Sequence, residues 1–500
     1  MLSALLKPYM AGHAKKVRSS MRDPLAAQTA VFGRLRNLLR GSELATQSGF
    51  DRCTRLEDFR MLPISDNESL QTPFKRAFSD GDRARSIFGR SRIVAFGRTS
   101  GTLGEPKDIP LNQDYFKSFD RSLLRMIACQ LHSTGEWKYA LTGRRILLGS
   151  RPTVGNSPTG LPIADISGLL LTRSSRFARQ LYIPKHEDHW TSDWPIKAER
   201  ILEQAYGKRV VSITGIPALA LDFAKRAQIK YGIGHLTELW PDLVLYVYGG
   251  MHLSQDQRNE LARAWYGDQR KLHTVETYFA TEGALGFSID PHSEGLALNT
   301  LENLFLFLSD EPQELPVFAH ELQVGKTYSV LMTTAGGLIN YRIGDRIKVL
   351  SVNPLLIGVV GREKEVLSMT GEKVTLEQID LALEAAGLSG EFFGFDRPIV
   401  WIESGAKPHL VWGFPASMEQ LDPLGLSGRL DEALCRFNVL YAEALVNEKV
   451  IERSKLVFLP VKVFSDYRNS RLGAGQAKPK RIFNSRLDFE TAYGCLKPAP

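Results

Sequence analysis

An α/β fold is expected, with a large N-terminal domain of mixed sheets flanked by helices and a small α+β domain at the C-terminus. Three observations carry this expectation. Between residues 93 and 279, short apolar segments alternate with loops and helical stretches, the pattern of a largely parallel sheet. After residue 300 the segments become closely spaced strands. From Gly361 a strand–helix pattern returns, which places a boundary near residues 355–362 and gives domains 1–360 and 361–500. At 500 residues the chain has room for both.

The first ninety residues read as mainly helical, with breaks at Gly41-Ser42, Leu62-Pro63 and Ser79-Asp80-Gly81-Asp82. Leu2, Leu5, Leu6, Tyr9, Met10, His13, Val17 and Met21 fall at helical spacing, with Pro8 in a first turn. A strand over 93–96 runs into a Gly- and Thr-rich loop, and one over 146–149 opens into a Pro-, Gly- and Ser-rich stretch, 150–168. A strand over 210–213 precedes a helix over 217–227. Another, over 243–248, ends at Gly249-Gly250 before a helix near 255–265, and 274–279 is a further β-rich run. The closely spaced strands are 304–308, 328–332, 338–341 and 346–350, and an amphipathic helix is expected around 376–386.

Composition is that of a globular chain, 43% hydrophobic and 24% charged, which excludes disordered, collagenous and coiled-coil classes. The net charge of +8 first suggests a nucleic-acid or membrane partner. Its location weakens that idea. Lys7, Lys15, Lys16, Arg18, Arg22, Arg34, Arg36 and Arg40 face only Asp23 within residues 1–42, so the rest of the chain is nearly neutral. Cys53, Cys129, Cys435 and Cys495 are far apart and form no C-x-x-C pair, as expected of reduced thiols in a cytoplasmic protein. No apolar run reaches the roughly eighteen residues of a membrane helix.

Five segments carry the chemistry. In Arg98-Thr99-Ser100-Gly101-Thr102-Leu103-Gly104-Glu105-Pro106-Lys107, the glycines allow close backbone approach, hydroxyls donate hydrogen bonds and Lys107 adds a cation. The spacing is not that of a Walker loop, and phosphate binding and a plain tight turn are equally consistent with it. Tyr278-Phe279-Ala280-Thr281-Glu282-Gly283 offers an aromatic for a base, a hydroxyl for a phosphate and a carboxylate for Mg²⁺; a buried strand end with a helix-capping turn is the plainer alternative. In Tyr341-Arg342-Ile343-Gly344-Asp345 the carboxylate suits ribose hydroxyls, although a Gly-Asp pair alone is an ordinary turn. Gly361-Arg362-Glu363-Lys364 and Gly475-Gln476-Ala477-Lys478-Pro479-Lys480-Arg481 complete the set. His186 and His189 are spaced for a metal but lack a third ligand cluster, and His252 follows the Gly249-Gly250 loop.

In this order the segments resemble the adenylate-forming superfamily of acyl-CoA synthetases, adenylation domains and luciferases. Within it they are most similar to the Gretchen Hagen family of acyl acid–amido synthetases. That family's [ST]-S-G-T-x-x-G-x-x-K loop is matched by Thr99, Ser100, Gly101, Thr102, Gly104 and Lys107. Its Y-x-x-[ST]-E is matched by Tyr278, Thr281 and Glu282, its Y-R-x-G-D by Tyr341, Arg342, Gly344 and Asp345, and its Q-x-K-x-x-R by Gln476, Lys478 and Arg481. Two departures stand out: Phe279 replaces a small residue, and Lys480 stands where the plant proteins usually have proline.

The resemblance implies an ATP-dependent ligase. A carboxylic acid attacks the α-phosphate of ATP, pyrophosphate leaves, and an amine, such as an amino acid, takes the acyl group. Ser100, Gly101, Thr102 and Lys107 would hold phosphates, Thr281 would contact the α-phosphate and Glu282 the Mg²⁺. Tyr278 would stack on adenine, Asp345 would bind the ribose with Arg362 in support, and Lys478 would bridge carboxylate and α-phosphate. The C-terminal domain would rotate between the half-reactions about Glu363-Lys364. An acyl-CoA ligase is the runner-up; a nucleic-acid-binding protein on the same fold would need basic and aromatic residues interleaved on one face, which a nearly neutral body does not offer. Lys478→Ala is expected to abolish most acid-dependent pyrophosphate release; release within a few-fold of wild type would refute the assignment.

Overall fold

The computed structural model describes residues 2–493, apart from 100–106, 136–141, 150–152, 174–175, 186–190, 192, 250–252, 254, 268–272, 292–293, 310–314, 364, 371, 389–395, 406 and 473–479. Contacts group the chain into two compact units. One comprises Met1–His252 and Leu272–Val360, the other Leu253–Lys271 and Gly361–Pro500. The segment Leu253–Lys271, which lies within the expected 1–360 span, therefore groups with the second unit.

The first unit holds three sheets. The largest has seven strands in the order Ala297–Leu298, Gly283–Phe287, Thr274–Ala280, Leu245–Gly249, Val210–Gly215, Arg144–Leu148, Tyr182–Ile183. Its five strands from Thr274–Ala280 onward are parallel, and the two at the other edge are antiparallel. Residues 245, 247 and 275 lie against a cluster in which Met10, Ala14, Val17 and Met21 of helix Leu2–Arg22 meet Met126, Ala128 and Cys129 of helix Gln113–Thr134. The basic N-terminal helix is thus a packed part of the unit by its apolar stripe. Pro8 lies inside it and not in its first turn.

A second sheet of four strands pairs Ile93–Arg98 with Asp108–Asn112 in an antiparallel hairpin. The third runs Leu304–Leu308, Thr327–Thr333, Tyr341–Val352, Leu355–Arg362, and a core of buried Phe305, Phe307, Val330, Met332 and Ile347 backs it. In place of the expected strands 338–341 and 346–350 there is one strand, Tyr341–Val352, which starts at the last residue of the first, contains the second and is interrupted by a bulge. A Gly-Asp pair resembles a turn in sequence, and the ladder resumes beyond it because the apolar alternation continues.

The segment joining the first and third sheets carries Glu302, whose side chain is fully buried. Arg121 approaches it with Nε at 2.9 Å and Nη2 at 2.6 Å, Arg125 with Nη1 at 2.5 Å, and Arg34 with Nη2 at 3.3 Å. The Ser118 hydroxyl donates to it at 2.9 Å. Helices Pro24–Leu39 and Gln113–Thr134 are thereby pinned to the inter-sheet segment.

The second unit has a four-stranded sheet in the order Lys455–Leu459, His409–Pro415, Ile399–Glu403, Ile482–Phe483, parallel at both edges and antiparallel between the central pair. Helices Leu376–Ala385 and Pro423–Phe437 bury Ile379, Leu383, Leu426, Leu430 and Leu434 against Val400 and Trp412. Among the described residues no helix is long and apolar enough to cross a membrane.

Burial alone would raise the Glu302 pKa, but the Arg121 hydrogen bond and the charges of Arg34, Arg125 and Arg121 bring it below its ordinary value of 4.5. A depressed carboxylate stabilises the fold fully above that ordinary value, and the gain is lost as pH falls through the lowered one. Glu302→Ala, measured by urea unfolding at pH 7, is expected to cost about 3 kcal/mol, the low end for a broken buried pair because Arg34 and Arg121 reach solvent. Glu302→Gln is expected to lessen the fall in stability below pH 4.5.

Candidate active site

Two antiparallel strands determine where the hydroxyl-rich loop leaves and rejoins the first unit. Arg98 and Asp108 are register partners, and their side chains form two parallel hydrogen bonds, Nε to Oδ1 and Nη2 to Oδ2, both at 2.8 Å. One step further, the Thr99 amide donates to the Lys107 carbonyl at 2.9 Å, and the Lys107 amide donates to the Thr99 hydroxyl at 3.0 Å. Loop residues 99–107 therefore spring from a closed neck. Ser100, Gly101, Thr102 and Gly104 lie outside the described residues, as do Lys478, His186, His189 and His252.

Thr281 and Glu282 form the tip of a second hairpin, since Ala280 pairs with Gly283. The plainer alternative, a strand end with a helix-capping turn, does not hold: the segment is a β-turn between two strands of the seven-stranded sheet. Gly97 packs on it: a Cβ at Gly97 would lie 2.5 Å from the Thr281 methyl and 3.0 Å from Leu111 Cδ1. Only hydrogen fits there, so the loop neck and the Thr281 turn touch. Glu282 is 8% exposed and lines a cavity of roughly one water's size with Tyr115, Ser118, Asn303 and Thr334.

Asp345 is positioned by the bulge. Ser329 pairs with Arg346 and Leu331 with Arg342, so Ile343, Gly344 and Asp345 share the space opposite one residue, Val330. Gly344 has φ +83°, a conformation that glycine alone adopts readily. The Tyr278 hydroxyl then donates to Asp345 Oδ2 at 3.0 Å, bridging the first and third sheets. Tyr278 is 7% exposed within the third sheet's core, and its hydroxyl is the atom that holds Asp345. Tyr341 is 1% exposed, its ring belongs to the core, and burial, then the charges of Glu282 and Asp66, raise its pKa.

Arg362 ends the strand Leu355–Arg362 and is half-buried, with its carbonyl accepting from the Glu365 amide. Near the C-terminus, Arg481 donates to Asp380 Oδ1 at 2.7 Å and to the Pro398 carbonyl at 3.2 Å. Lys480 is clamped on both sides of its backbone by Tyr467 and Tyr493, whose rings stack 3.8 Å apart, while its amine lies 4.7 Å from the Phe483 ring centroid. Lys480 is therefore an anchor within its own unit.

Sequence reasoning missed Gly97, Tyr115, the Arg98–Asp108 pair and the Lys480 clamp. The opposite charges flanking the loop were a usable signal for its neck. Gly97 and Tyr115 gave none, because their partners lie more than 150 residues away.

This arrangement of sheets is the adenylate-forming fold. A solved GH3.15 acyl acid amido synthetase matches at a TM-score of 0.74 and 15% identity, covering 96% of this chain and 95% of that one. A 2-hydroxyisobutyryl-CoA ligase in its post-adenylation state matches at 0.60 and 12%, covering 94% and 92%. The family model for the GH3 family N-terminal domain matches residues 13–199, and that for the GH3 family central domain matches 301–362. Over these residues the chain is similar to the GH3 family. Jasmonoyl–L-amino acid synthetase JAR4 of Nicotiana attenuata is 29% identical over 176 residues, which is 33% of this chain and 30% of that protein. Jasmonoyl–L-amino acid synthetase GH3.5 of Oryza sativa subsp. japonica is 29% identical over 184 residues, 32% and 31% of the two. The sequence matches thus span less than a third of these relatives.

Gly97→Val is expected to lower acid-dependent pyrophosphate release at least about tenfold, through displacement of Thr281. Gly155→Ala, where a Cβ meets nothing within 4 Å, is expected to leave it unchanged.

Proposed function

We propose that the protein is an ATP-dependent acid–amine ligase, activating a carboxylic acid as its acyl-adenylate and passing the acyl group to an amine, an amino acid foremost. The observation that carries this reading is the convergence within one unit of the loop neck, the Thr281–Glu282 turn and the Asp345–Tyr278 pair. The activities named for the relatives, jasmonoyl–amino acid and acyl acid amido synthesis, agree with it.

In the proposed mechanism Thr99 and Lys107 close the neck of a loop whose Ser100, Gly101, Thr102 and Gly104 surround the phosphates. Lys107 contributes positive charge, and the Thr281 hydroxyl contacts the α-phosphate. Glu282, a hard oxygen donor beside a small cavity, fits Mg²⁺, which when bound would offset phosphate charge. Asp345 binds the ribose hydroxyls, held in place by Tyr278, whose ring remains the candidate surface for adenine. Arg362 supports the ribose. Lys478 neutralises charge between the reacting carboxylate and the α-phosphate, and Lys480 and Arg481 anchor the chain beside it. Two anions must meet in line, so positioning and charge neutralisation supply the rate. Residues 361–500 are proposed as the mobile lid of the adenylation domain 1–360, and the enzyme as cytoplasmic.

Incubation with ATP, Mg²⁺ and pools of carboxylic acids tests this reading. Acid-dependent pyrophosphate release, with product formed only when amino acids are added, is the expected outcome. Product formed only with CoA would mean an acyl-CoA ligase, and no release with any pool would refute adenylation.

A further inference from the structure

We infer that Tyr115 is a positioning residue, fixing the Thr281–Glu282 turn and through it the metal-bound triphosphate. The inference rests on the adenylation reading and adds to it a residue from outside all five motifs.

Tyr115 lies in the first turn of helix Gln113–Thr134, directly after the strand that closes the hydroxyl-rich loop. Asn112 caps that helix: its Oδ1 accepts from the Tyr115 amide at 2.9 Å, and its Nδ2 donates to the Gly336 carbonyl at 3.3 Å. The Tyr115 ring is 4% exposed, held between Phe116 and Phe119. A Cβ on Gly336 would come within 3.3 Å of its Cδ2. Within this close packing, the hydroxyl reaches the Thr281 carbonyl and donates to it at 3.0 Å.

That carbonyl belongs to a turn tip, beyond the last pair of the strand ladder. The phenol supplies a donor that the hairpin cannot supply for itself. Gly97 packs on the methyl of the same residue, so Thr281 is held at two atoms, one by the strand that enters the loop neck and one by the helix that follows the strand leaving it. Glu282 follows immediately and borders the small cavity that Tyr115 also lines. A turn released from the hydroxyl would have that space to relax into. Burial first, and then the Glu282 charge, keeps the phenol neutral and donating.

The test compares wild type, Tyr115→Phe and Gly336→Ala. ATP affinity is measured by calorimetry with and without Mg²⁺, kcat and KM by ATP–pyrophosphate exchange, and folding by thermal melting. Tyr115→Phe is expected to melt cooperatively and bind metal-free ATP within about twofold of wild type. It should lose most of the gain in affinity that Mg²⁺ confers, with kcat down at least about tenfold and KM for the acid unchanged. Gly336→Ala keeps the hydroxyl but crowds the ring, and should move both readouts in the same direction by less. A Mg²⁺ gain and kcat within twofold of wild type in Tyr115→Phe would overturn the inference while leaving adenylation standing. Should Tyr115→Phe not fold, Gly336→Ala decides by the same two readouts. A wild type that binds no ATP in either condition would overturn adenylation and this inference together.

Discussion

Glu302 is the charge around which the first unit is assembled. A carboxylate removed from water is costly unless paired, and here three arginines and a serine supply that pairing. Because the arginines come from two helices, satisfying the carboxylate also sets where those helices lie. Gln28 reinforces the arrangement, donating to the Thr300 and Asn303 carbonyls and accepting from the Phe305 amide. The helix so fixed carries Tyr115 to the Thr281 turn. A neutral residue at 302 would leave the buried Arg125 guanidinium without its carboxylate and would loosen the tie between the two helices and the inter-sheet segment.

The candidate site is built from local irregularities held by that regular frame. The loop neck is a hairpin end, the Thr281–Glu282 turn a hairpin tip, and Asp345 the product of a bulge. Each breaks a strand ladder at the point where polar groups are needed, and each is held by a contact from elsewhere in the chain. The bulge needs Gly344 for its backbone and Tyr278 for its carboxylate. The tip needs Gly97 to admit its methyl and Tyr115 to satisfy its carbonyl. In the second unit the segment after residues 473–479 is tied by Lys480 and Arg481 through aromatic, carbonyl and carboxylate partners.

Secondary structure was largely legible because its signal is local. The run Val210–Gly215, the helix Pro217–Tyr231 and the amphipathic helix Leu376–Ala385 each show their period within a dozen or so residues. Where a local pattern admits two structures, the partner strand decides. The segments 338–341 and 346–350 read as separate strands on either side of Gly344-Asp345, since a bulge and a turn have the same composition and differ only in whether the partner strand continues. Thr281-Glu282 was open to a capping reading because its strand partner, Gly283–Phe287, carries three small residues and little β signal.

The sequence by itself determined the order of elements, the five chemical segments and the family resemblance, all of which reside in neighbouring residues or in their order along the chain. It also showed that nearly all of the net positive charge lies in the first 42 residues, far in sequence from those segments. Tertiary structure alone decided that Gly97 rather than any larger residue must precede the loop, that Tyr115 serves the Thr281 turn, and that Lys480 is anchored. Those roles depend on which distant atom lies within about 3 Å, the range over which sterics and hydrogen bonds act. No periodicity encodes that distance; it exists only once Glu302 and its arginines have brought helices and sheets together.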